Sequence, residues 1–370
     1  MKIAVATTTR ADWGLLSPLA RELRDRGAEV QVMAANMHYN PALGMTIREI
    51  EADGFTPVLE CKTQGSPAEI AAACLVDFAD ALERERPACI ICLGDRYEML
   101  SIAQAAVMEG VPVVHIAGGA VSEGATDDMF RHAITKLSSL HLTECEEYRH
   151  RVICMNEDPH LVINTGAIGI HNILNLSPIP SQQLNEDLGF EVDGDTLLCT
   201  MHSATLDMSM TPEEQYNTLL LGIEKAFSTH PRLKILFTYP NNDVDPTPLI
   251  AKLEAFREMH PERVLTVPSL GMKRYLSALQ YAGGMIGNSS SGIVEVASLG
   301  KPVLDIGIRQ QGRMRAASVI HCECDSEQIA LGIDRLFTPE LQELAAKREN
   351  PYARRDTLQI MTGVILSTFS

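Results

Sequence analysis

The segment 287–295, GNSSSGIVE, has the residue types that a phosphate site needs. It follows the apolar run GGMI, so its short side chains would stand between a strand and a helix, where backbone N–H groups attract an anion. Glu295 lies a turn into that helix and could accept hydrogen bonds from both hydroxyls of a ribose. A serine-rich helix cap is the structural alternative. The residues expected to approach a diphosphate are Ser289, Ser290, Ser291 and Gly292.

Arginines after other apolar runs bring positive charge to an acidic chain. Arg309 and Arg313 follow the run VLDIG, and Arg10 follows the first run, KIAVATT. A guanidinium group has a fork of donors that suits a phosphate or a uracil carbonyl. For Arg10 a capped turn with a surface ion pair is the alternative. Asn242, in the YPNND run, offers an amide either to sugar hydroxyls or to an Asx turn.

Two aspartates and two histidines are candidates for proton transfer. Asp95 stands beside Arg96 after the run CIICLG, and placement at a strand end favours a functional role. The loop GGAVSEGATDD contains Asp127, for which helix capping is the structural alternative. His132 lies farther along the same predicted helix. His202 ends the run TLLCTMH and would place an imidazole over a gap between two domains, although a structural role is equally compatible with its position.

The predicted helix near 126–137 would group several of these side chains. Residues four apart on a helix share a face, so Asp128 could meet His132 and Asp127 could meet Arg131. Such a face would form a cluster suited to acid and base chemistry.

Short apolar runs alternate with longer helical patterns along the chain, which predicts βαβ units and parallel sheets covered by helices on both faces. The alternation pauses at 165–183, a stretch that collects Gly, Asn and Pro, and then restarts. We therefore predict an α/β protein of two Rossmann-like doubly wound domains, 1–167 and 168–354. Residues 355–370 are predicted to form a helix that packs back on the first domain. Ligands of such sheets lie beyond the carboxyl ends of the strands, where the candidate residues fall.

Composition narrows the class of protein. With 370 residues and 45% hydrophobic content the chain can bury the cores of two domains. A net charge of −17 argues against nucleic acid or an anionic membrane as a partner. No apolar run is long enough to span a bilayer or to act as a signal peptide. Nine cysteines without paired spacing indicate reduced thiols, so we expect a cytoplasmic protein without a bound metal.

Seven pieces of the sequence, in order, resemble the hydrolysing UDP-N-acetylglucosamine 2-epimerases. They are TTTRADWG, NMHYN around His38, LGDRYE around Asp95, HIAGG, TDDMFRHAITKLSSLHL, YPNND and GNSSSGIVEVASLGKPVLDIGIRQQGR. The resemblance extends over nearly the whole chain. It implies a glycosyltransferase-B-like fold of two Rossmann-type domains, with the active site in the interdomain cleft.

The resemblance also implies a reaction and its residues. UDP would leave by anti elimination across C1 and C2, and water would add to the resulting 2-acetamidoglucal to give free N-acetylmannosamine. No cofactor is implied, the partner is a UDP-sugar, and the assembly is a homodimer or homotetramer. The residues implied to bind the substrate are Arg10, His38, Arg96, Asn242, Ser289, Ser290, Ser291, Gly292, Glu295, Arg309 and Arg313. Those implied to act on the sugar are Asp95, Asp127, His132 and His202.

Ala117 and Ala120 depart from the family pattern, which has a glutamate at one position or the other. A methyl group cannot transfer a proton, so either a neighbour such as Glu123 substitutes or the chain binds a UDP-sugar without turning it over. A change from glutamate to alanine at position 120, of the kind made to trap a ligand, would produce this sequence.

The loop SEGATDD bears on the substrate and the pathway. It is one residue longer than the SGTxDD form of the sialic acid branch, and this favours enzymes that act on UDP-N,N'-diacetylbacillosamine in legionaminic acid synthesis. UDP-N-acetylglucosamine and that sugar nucleotide both remain candidates. Two alternatives of other classes are a glycosyltransferase of the same fold, which would need an acceptor, and an inactive UDP-sugar-binding protein. A non-hydrolysing epimerase matches the HIAGG and TDDMFRHAITK pieces less well.

Overall fold

A computed structural model describes residues 1–40, 45–122, 126–204, 207–240 and 245–370. The strands in these ranges are β1 (Lys2–Thr7), β2 (Glu29–Ala35), β3 (Leu59–Cys61), β4 (Cys89–Leu93), β5 (Val113–Ile116), β6 (Leu140–Thr143), β7 (Val162–Asn164), β8 (Thr196–Thr200), β9 (Lys234–Thr238), β10 (Val264–Val267), β11 (Gly284–Gly287), β12 (Val303–Ile306) and β13 (Val319–Cys322).

Helices follow most of these strands, as the alternating pattern predicts. They are α1 (Arg10–Asp25), α2 (Ile47–Ala52), α3 (Pro67–Glu85), α4 (Tyr97–Met108), α5 (Asp127–Leu137), α6 (Glu146–Cys154), α7 (Ile168–Leu174), α8 (Ser181–Leu188), α9 (Pro212–Thr229), α10 (Thr247–Met259), α11 (Gly271–Tyr281), α12 (Ser290–Val294), α13 (Ser326–Leu336), α14 (Pro339–Ala346) and α15 (Thr357–Phe369). Short 3-10 turns cover Asn36–Tyr39, Val296–Leu299 and Ile308–Gln310.

The described strands form two sheets, and every neighbouring pair in both sheets is parallel. The strand order is β3-β2-β1-β4-β5-β6-β7 in the first sheet and β10-β9-β8-β11-β12-β13 in the second. In each sheet, successive strands are added first on one side of the first strand and then on its other side. Ligands of doubly wound sheets bind where this order of strands changes side. The prediction of two Rossmann-like doubly wound domains is confirmed.

The chain divides into two compact units. The first comprises Met1–Ala120, Asp127–His171 and Arg354–Ser370, and the second comprises Val121–Thr126 and Asn172–Ala353. Helix α15 therefore belongs to the first unit, although it follows the whole of the second in sequence. Its residues Leu358, Met361 and Ile365 are buried in the first unit's core.

Local sequence explains why helices begin where they do. Thr9 and Asp12 form a capping box at the start of α1, with each side chain bonded to the other residue's backbone N–H. Ser66 with Glu69 and Thr211 with Glu214 do the same for α3 and α9. These boxes end the loops that follow the strands, and so help to set the positions of loop residues at the carboxyl edges of the sheets.

Glycines allow close approaches where the order of strands in the second sheet changes side. Gly287 has φ of +124°, and a Cβ atom there would lie 2.1 Å from the carbonyl oxygen of Thr200 on β8. Gly292 packs α12 against β12, since its Cβ would lie 3.1 Å from Val303 Cγ1. A side chain at Gly287 would therefore separate two central strands.

Two remaining sequence predictions concern thiols and membranes. Cys89 and Cys92 on β4 are fully buried in the apolar core, and burial raises the pKa of both thiols. Within the described ranges, every helix falls short of the length and apolar content that a bilayer crossing requires.

Candidate functional site

In the first unit, a buried guanidinium joins two carboxylates at the carboxyl edge of the sheet. Arg131 on α5 has 1% of its surface exposed, and its Nε and Nη2 atoms both donate to Oδ2 of Asp95, from Nε at 3.1 Å. Its Nη1 donates to Asp128 Oδ1 at 3.0 Å and to the carbonyl oxygen of Ala120 at 2.9 Å. His132 Nε2 lies 3.3 Å from Asp128 Oδ2. The predicted meeting of Asp128 and His132 is therefore observed.

His115 connects the two sides of this cluster and was not singled out from the sequence. It is fully buried on β5, its Nε2 donates to the carbonyl oxygen of Gly94 at 2.8 Å, and its Nδ1 lies 3.2 Å from Thr135 Oγ1. Gly94 directly precedes Asp95, and Thr135 lies one turn beyond Arg131. Burial lowers the pKa of His115 to about 4. A neutral imidazole therefore holds the Asp95 turn against α5.

Arg96 is directed to a different carboxylate from its neighbour Asp95. Its Nε and Nη2 atoms donate to Glu98 at 3.2 and 3.0 Å, and Glu98 has no exposed surface. Asn36, which has φ of +50°, donates from Nδ2 to the same carboxylate at 2.8 Å. Glu98 and Asn36 thus fix Arg96 at the end of β4. Nothing in the local spacing linked Asn36 to this group.

Arg10 and the polar turn before α1 form a separate arrangement in this unit. Asp12 accepts hydrogen bonds from the backbone and hydroxyl of Thr8 and from the backbone of Thr9, and burial raises its pKa. Arg10 Nε lies 3.0 Å from Glu49, and both side chains are about half exposed. The turn is therefore capped and Arg10 forms a surface ion pair, while its role in substrate binding stays a prediction.

His38 is completely buried, and both of its ring nitrogens have protein partners. Nε2 lies 2.9 Å from Thr7 Oγ1, and Nδ1 lies 2.9 Å from Thr46 Oγ1. Burial lowers the pKa of its imidazole to about 4. His38 thus links the end of β1 to Thr46, directly before α2, and its role in substrate binding stays a prediction.

In the second unit, Asn288 links the two strands between which the order of the sheet changes side. Its Oδ1 accepts from the backbone N–H of His202 at 2.7 Å, and its Nδ2 donates to the carbonyl oxygen of His202 at 2.8 Å. The carbonyl oxygen of Asn288 accepts from Gln310 Nε2 at 2.8 Å and from Arg309 Nη1 at 3.4 Å. Three loops that follow β8, β11 and β12 therefore meet at one residue.

Serines and a carboxylate surround the start of α12. Ser289 is its N-cap and accepts from the Ser291 backbone N–H at 3.3 Å, while Ser290 is exposed. Ser291 donates to Glu295 Oε2 at 2.6 Å and accepts from the Tyr275 hydroxyl at 3.0 Å. Burial raises the pKa of Glu295. The carboxylate is thus held one turn from the exposed hydroxyl of Ser290.

Charge is distributed unevenly around this second group. Burial, with a smaller contribution from Arg309, lowers the pKa of His202 to about 3, so its imidazole is neutral at physiological pH. Arg313 donates from Nε and Nη2 to the hydroxyl of Ser122 at 3.3 and 3.0 Å. Arg309, which donates to the carbonyl oxygen of Asn288, therefore brings positive charge to this group. Asn242 lies outside the described residues, as does Glu123.

The candidate residues thus fall into two groups, one in each unit. The first unit assembles Asp95, Asp128, Arg131 and His132 around α5, whose first residue is Asp127. The second assembles Ser289, Ser291, Glu295, His202 and Arg309 around β8 and β11. Arg10 and His38 of the first unit instead pair with Glu49 and with two threonines, respectively. Among the described residues, no group of three or more His, Cys, Asp or Glu side chains could hold a metal ion.

Comparison with known proteins gives a consistent result. A family model described as UDP-N-acetylglucosamine 2-epimerase matches residues 21–366. A Campylobacter jejuni protein named GDP/UDP-N,N'-diacetylbacillosamine 2-epimerase (hydrolyzing) is 33% identical over 87% of this chain and 84% of its own. An Escherichia coli protein named polysialic acid biosynthesis protein P7 is 33% identical over 96% of this chain and 91% of its own.

A solved structure shares the fold at low sequence identity. The UDP-GlcNAc 2-epimerase of Neisseria meningitidis, solved with UDP-GlcNAc bound, superposes with a TM-score of 0.83 at 18% identity, and the match covers 99% of this chain and all of the other. The fold is therefore of the glycosyltransferase-B-like class that the resemblance to the family implied.

Proposed function

The chain belongs to the UDP-N-acetylglucosamine 2-epimerase family, and from this premise we propose that it is a hydrolysing 2-epimerase. Its substrate would be a UDP-linked 2-acetamido sugar, and its products would be UDP and the free sugar with inverted C2. The reaction is an anti elimination of UDP across C1 and C2, followed by addition of water to the 2-acetamidoglucal. The free sugar would enter sialic or legionaminic acid synthesis.

The observation that carries the proposal is the cluster of Asp95, Arg131 and Asp128. The C2 proton is weakly acidic, so a positioned carboxylate must remove it. Arg131 is almost completely buried and donates to Asp95 from two nitrogen atoms, which fixes the orientation of that carboxylate. Asp127, at the start of α5, is our candidate acid or base, and Asp95 is its partner in proton handling.

The second unit supplies groups suited to UDP. Glu295, fixed by Ser291, would accept the ribose hydroxyls, and the exposed Ser290 with the start of α12 would face the diphosphate. Arg309 and Arg313 would bind the β-phosphate, both in the substrate and in the released UDP. Neutral His202 would act as a hydrogen-bonding group near the sugar rather than as a counter-ion. The resemblance to the family suggests these roles, and the observed contacts are compatible with them.

Two sugars remain candidates as substrate. The long SEGATDD loop and the name of the Campylobacter jejuni relative favour UDP-N,N'-diacetylbacillosamine, whose product would be 2,4-diacetamido-2,4,6-trideoxymannose. The family model, described as UDP-N-acetylglucosamine 2-epimerase, favours UDP-N-acetylglucosamine. Both sugar nucleotides carry a 2-acetamido group, so the same ionic groups could act at C2 of either one.

A second candidate function rests on Ala117 and Ala120. Ala120 is 2% exposed and its carbonyl oxygen accepts from Arg131, so this alanine, one of the two positions where the family pattern has a glutamate, lies beside the ionic cluster. The absence of that glutamate is what we would expect of an inactive protein that binds a UDP-sugar without turning it over.

Proton NMR in deuterated water tests both proposals. The protein is incubated separately with each sugar nucleotide, and free sugar, UDP and deuterium at C2 are followed. Free manno-configured sugar carrying deuterium at C2 is the expected result. A UDP-linked manno sugar would instead indicate a non-hydrolysing epimerase, and ligand-induced shifts without product would favour the inactive binding protein.

A further inference from the structure

Asp305 is a buried carboxylate near the end of β12 to which the proposed function gives no role. It has 1% of its surface exposed and lies between Gly287 on β11 and His321 on β13 in the sheet. Its Oδ2 accepts from Arg315 Nε at 3.1 Å and Nη2 at 2.6 Å, and it lies 3.2 Å from His321 Nδ1. The hydrogen bond to Asp305 raises the pKa of His321.

Stability alone gives a weak reason for such a pair. A carboxylate and a guanidinium lose hydration on burial, and well-packed apolar side chains often serve a fold as well or better. Asp305 Oδ1 has no hydrogen-bond partner among the described residues, which adds to the cost of burying this group. Its neighbours Leu304 and Ile306 are buried in the apolar core.

The loop 307–315 connects this pair to the proposed UDP site. Arg315 Nη2 lies 3.4 Å from the carbonyl oxygen of Gln310, which it can bond while held by Asp305. Gln310 is 2% exposed, and its side chain in turn binds the carbonyl oxygen of Asn288 at 2.8 Å. Arg309 lies directly before Gln310, and Arg313 lies two residues before Arg315. Both arginines therefore lie on a loop that is linked through Arg315 to the buried carboxylate of Asp305.

We propose that Asp305 is a positioning residue that, through the fork of Arg315, holds the loop 307–315 so that Arg309 and Arg313 face a nucleoside diphosphate. The proposal rests on the proposed function for the assignment of UDP, but the anchoring of the loop is independent of any reaction. Asp305 itself would not touch the ligand.

Trypsin provides a direct measure of the anchoring, because it cleaves after the arginines of this loop. The full chain and the variants Asp305→Asn and Arg315→Lys are digested under native conditions, and cleavage after Arg309 and Arg313 is followed by mass spectrometry. Arg315→Lys keeps a cation beside Asp305 but loses the fork, so its fold is expected to persist. We expect cleavage in the loop to accelerate about tenfold in both variants, through local opening.

Binding of UDP provides the second measure. Calorimetry with UDP should show a Kd about tenfold higher in Arg315→Lys, because the loop arginines are no longer held in place. If the enzyme is active, KM should rise with Kd while kcat changes less. The matched control is Asp334→Asn, which removes a carboxylate that pairs with His230 at 2.8 Å elsewhere in the same unit. That variant should leave loop cleavage and the Kd of UDP unchanged.

Three results would overturn the inference. They are an unchanged cleavage rate in folded Arg315→Lys, faster cleavage spread evenly over the chain, and loop cleavage that accelerates while the Kd of UDP stays the same. Circular dichroism establishes that each variant is folded. A wild-type protein that binds UDP but releases no sugar would contradict the proposed hydrolysing function and leave these loop measurements valid, so the two failures can be told apart.

Discussion

The two sheets share the strand order of a doubly wound fold, yet their carboxyl edges carry opposite kinds of chemistry. The edge of the first sheet is ionic, with Arg131 buried among Asp95 and Asp128, and Arg96 bound to the buried Glu98. At the edge of the second sheet, serines, backbone groups and the amides of Asn288 and Gln310 lie near Glu295, and the ion pair of Asp305 with Arg315 is set behind them near the end of β12. On the same topology, the proposed function therefore assigns proton transfer to the first unit and anion binding to the second.

This difference predicts which kinetic quantity each region controls. Groups that handle protons act in the transition state and should change kcat, whereas groups that hold UDP act in both the ground state and the transition state and should change KM. The variants below test that division, from the largest expected effect to the smallest.

Asp127→Asn should give the largest loss. An amide at the start of α5 cannot accept the C2 proton, so kcat should fall by about 10²- to 10⁴-fold while the Kd of UDP stays close to that of the parent. The assay is the release of free sugar with C2 deuterium, followed by NMR. Full activity in this variant would show that Asp127 does not transfer the C2 proton, and Asp95 would then be the candidate for that role.

Ala120→Glu should act in the opposite direction in the same region. If the missing glutamate limits turnover, a carboxylate here should raise kcat by about 10²-fold, the contribution expected of one general acid or base. Ala117→Glu is the comparison, because position 117 is the other place where the family pattern has a glutamate. Ala117 has φ of +69°, in the left-handed region, so a longer side chain there would be under backbone strain. No gain from either substitution would indicate that the alanines do not limit the reaction.

Glu295→Gln should weaken UDP binding while changing kcat less. Hydrogen bonds to a charged acceptor contribute about 1.5–3 kcal/mol, so the Kd of UDP should rise by roughly tenfold to a hundredfold. Burial raises the pKa of Glu295, so in the parent protein the carboxylate is lost as pH falls and affinity should fall with it. Calorimetry at neutral and mildly acidic pH should show this dependence in the parent and its absence in the variant.

His115→Asn tests the buried connection in the first unit and should give the smallest effect. The shorter amide would lose the hydrogen bond to the Gly94 carbonyl, and loss of one positioning bond should lower kcat by about two- to tenfold. His115→Gln, whose amide nitrogen can reach near the position of Nε2, is the conservative control and should restore much of the rate. An equal loss in both variants would mean that packing, not the hydrogen bond, is what matters.

The alternation of apolar runs and helical patterns was sufficient to predict the fold, because each βαβ unit is encoded locally. The ends of those runs also located Asp95, His202 and the serines before Glu295. Side-chain partners that are not adjacent in the sequence were not predictable in this way. Nothing adjacent to Asn36 indicates Glu98, and nothing adjacent to Asp305 indicates Arg315.

Burial was the other quantity that the sequence did not provide. His38 stands in a motif of the expected type, yet its ring faces Thr7 and Thr46 inside the unit. His115 belongs to the quoted HIAGG piece, and only its two hydrogen bonds show that it connects Gly94 with α5. A histidine at a strand end can face either way, and side-chain direction depends on packing that sequence spacing does not determine.

The position of α15 has a consequence for the order of folding during synthesis. Leu358, Met361 and Ile365 complete the core of the first unit, but the ribosome makes them after all of Asn172–Ala353. The second unit can therefore reach its final packing while the first still lacks a helix and exposes apolar surface. A nascent chain of this kind depends on a late, long-range contact, which is slow to form and leaves an intermediate open to chaperones and to aggregation.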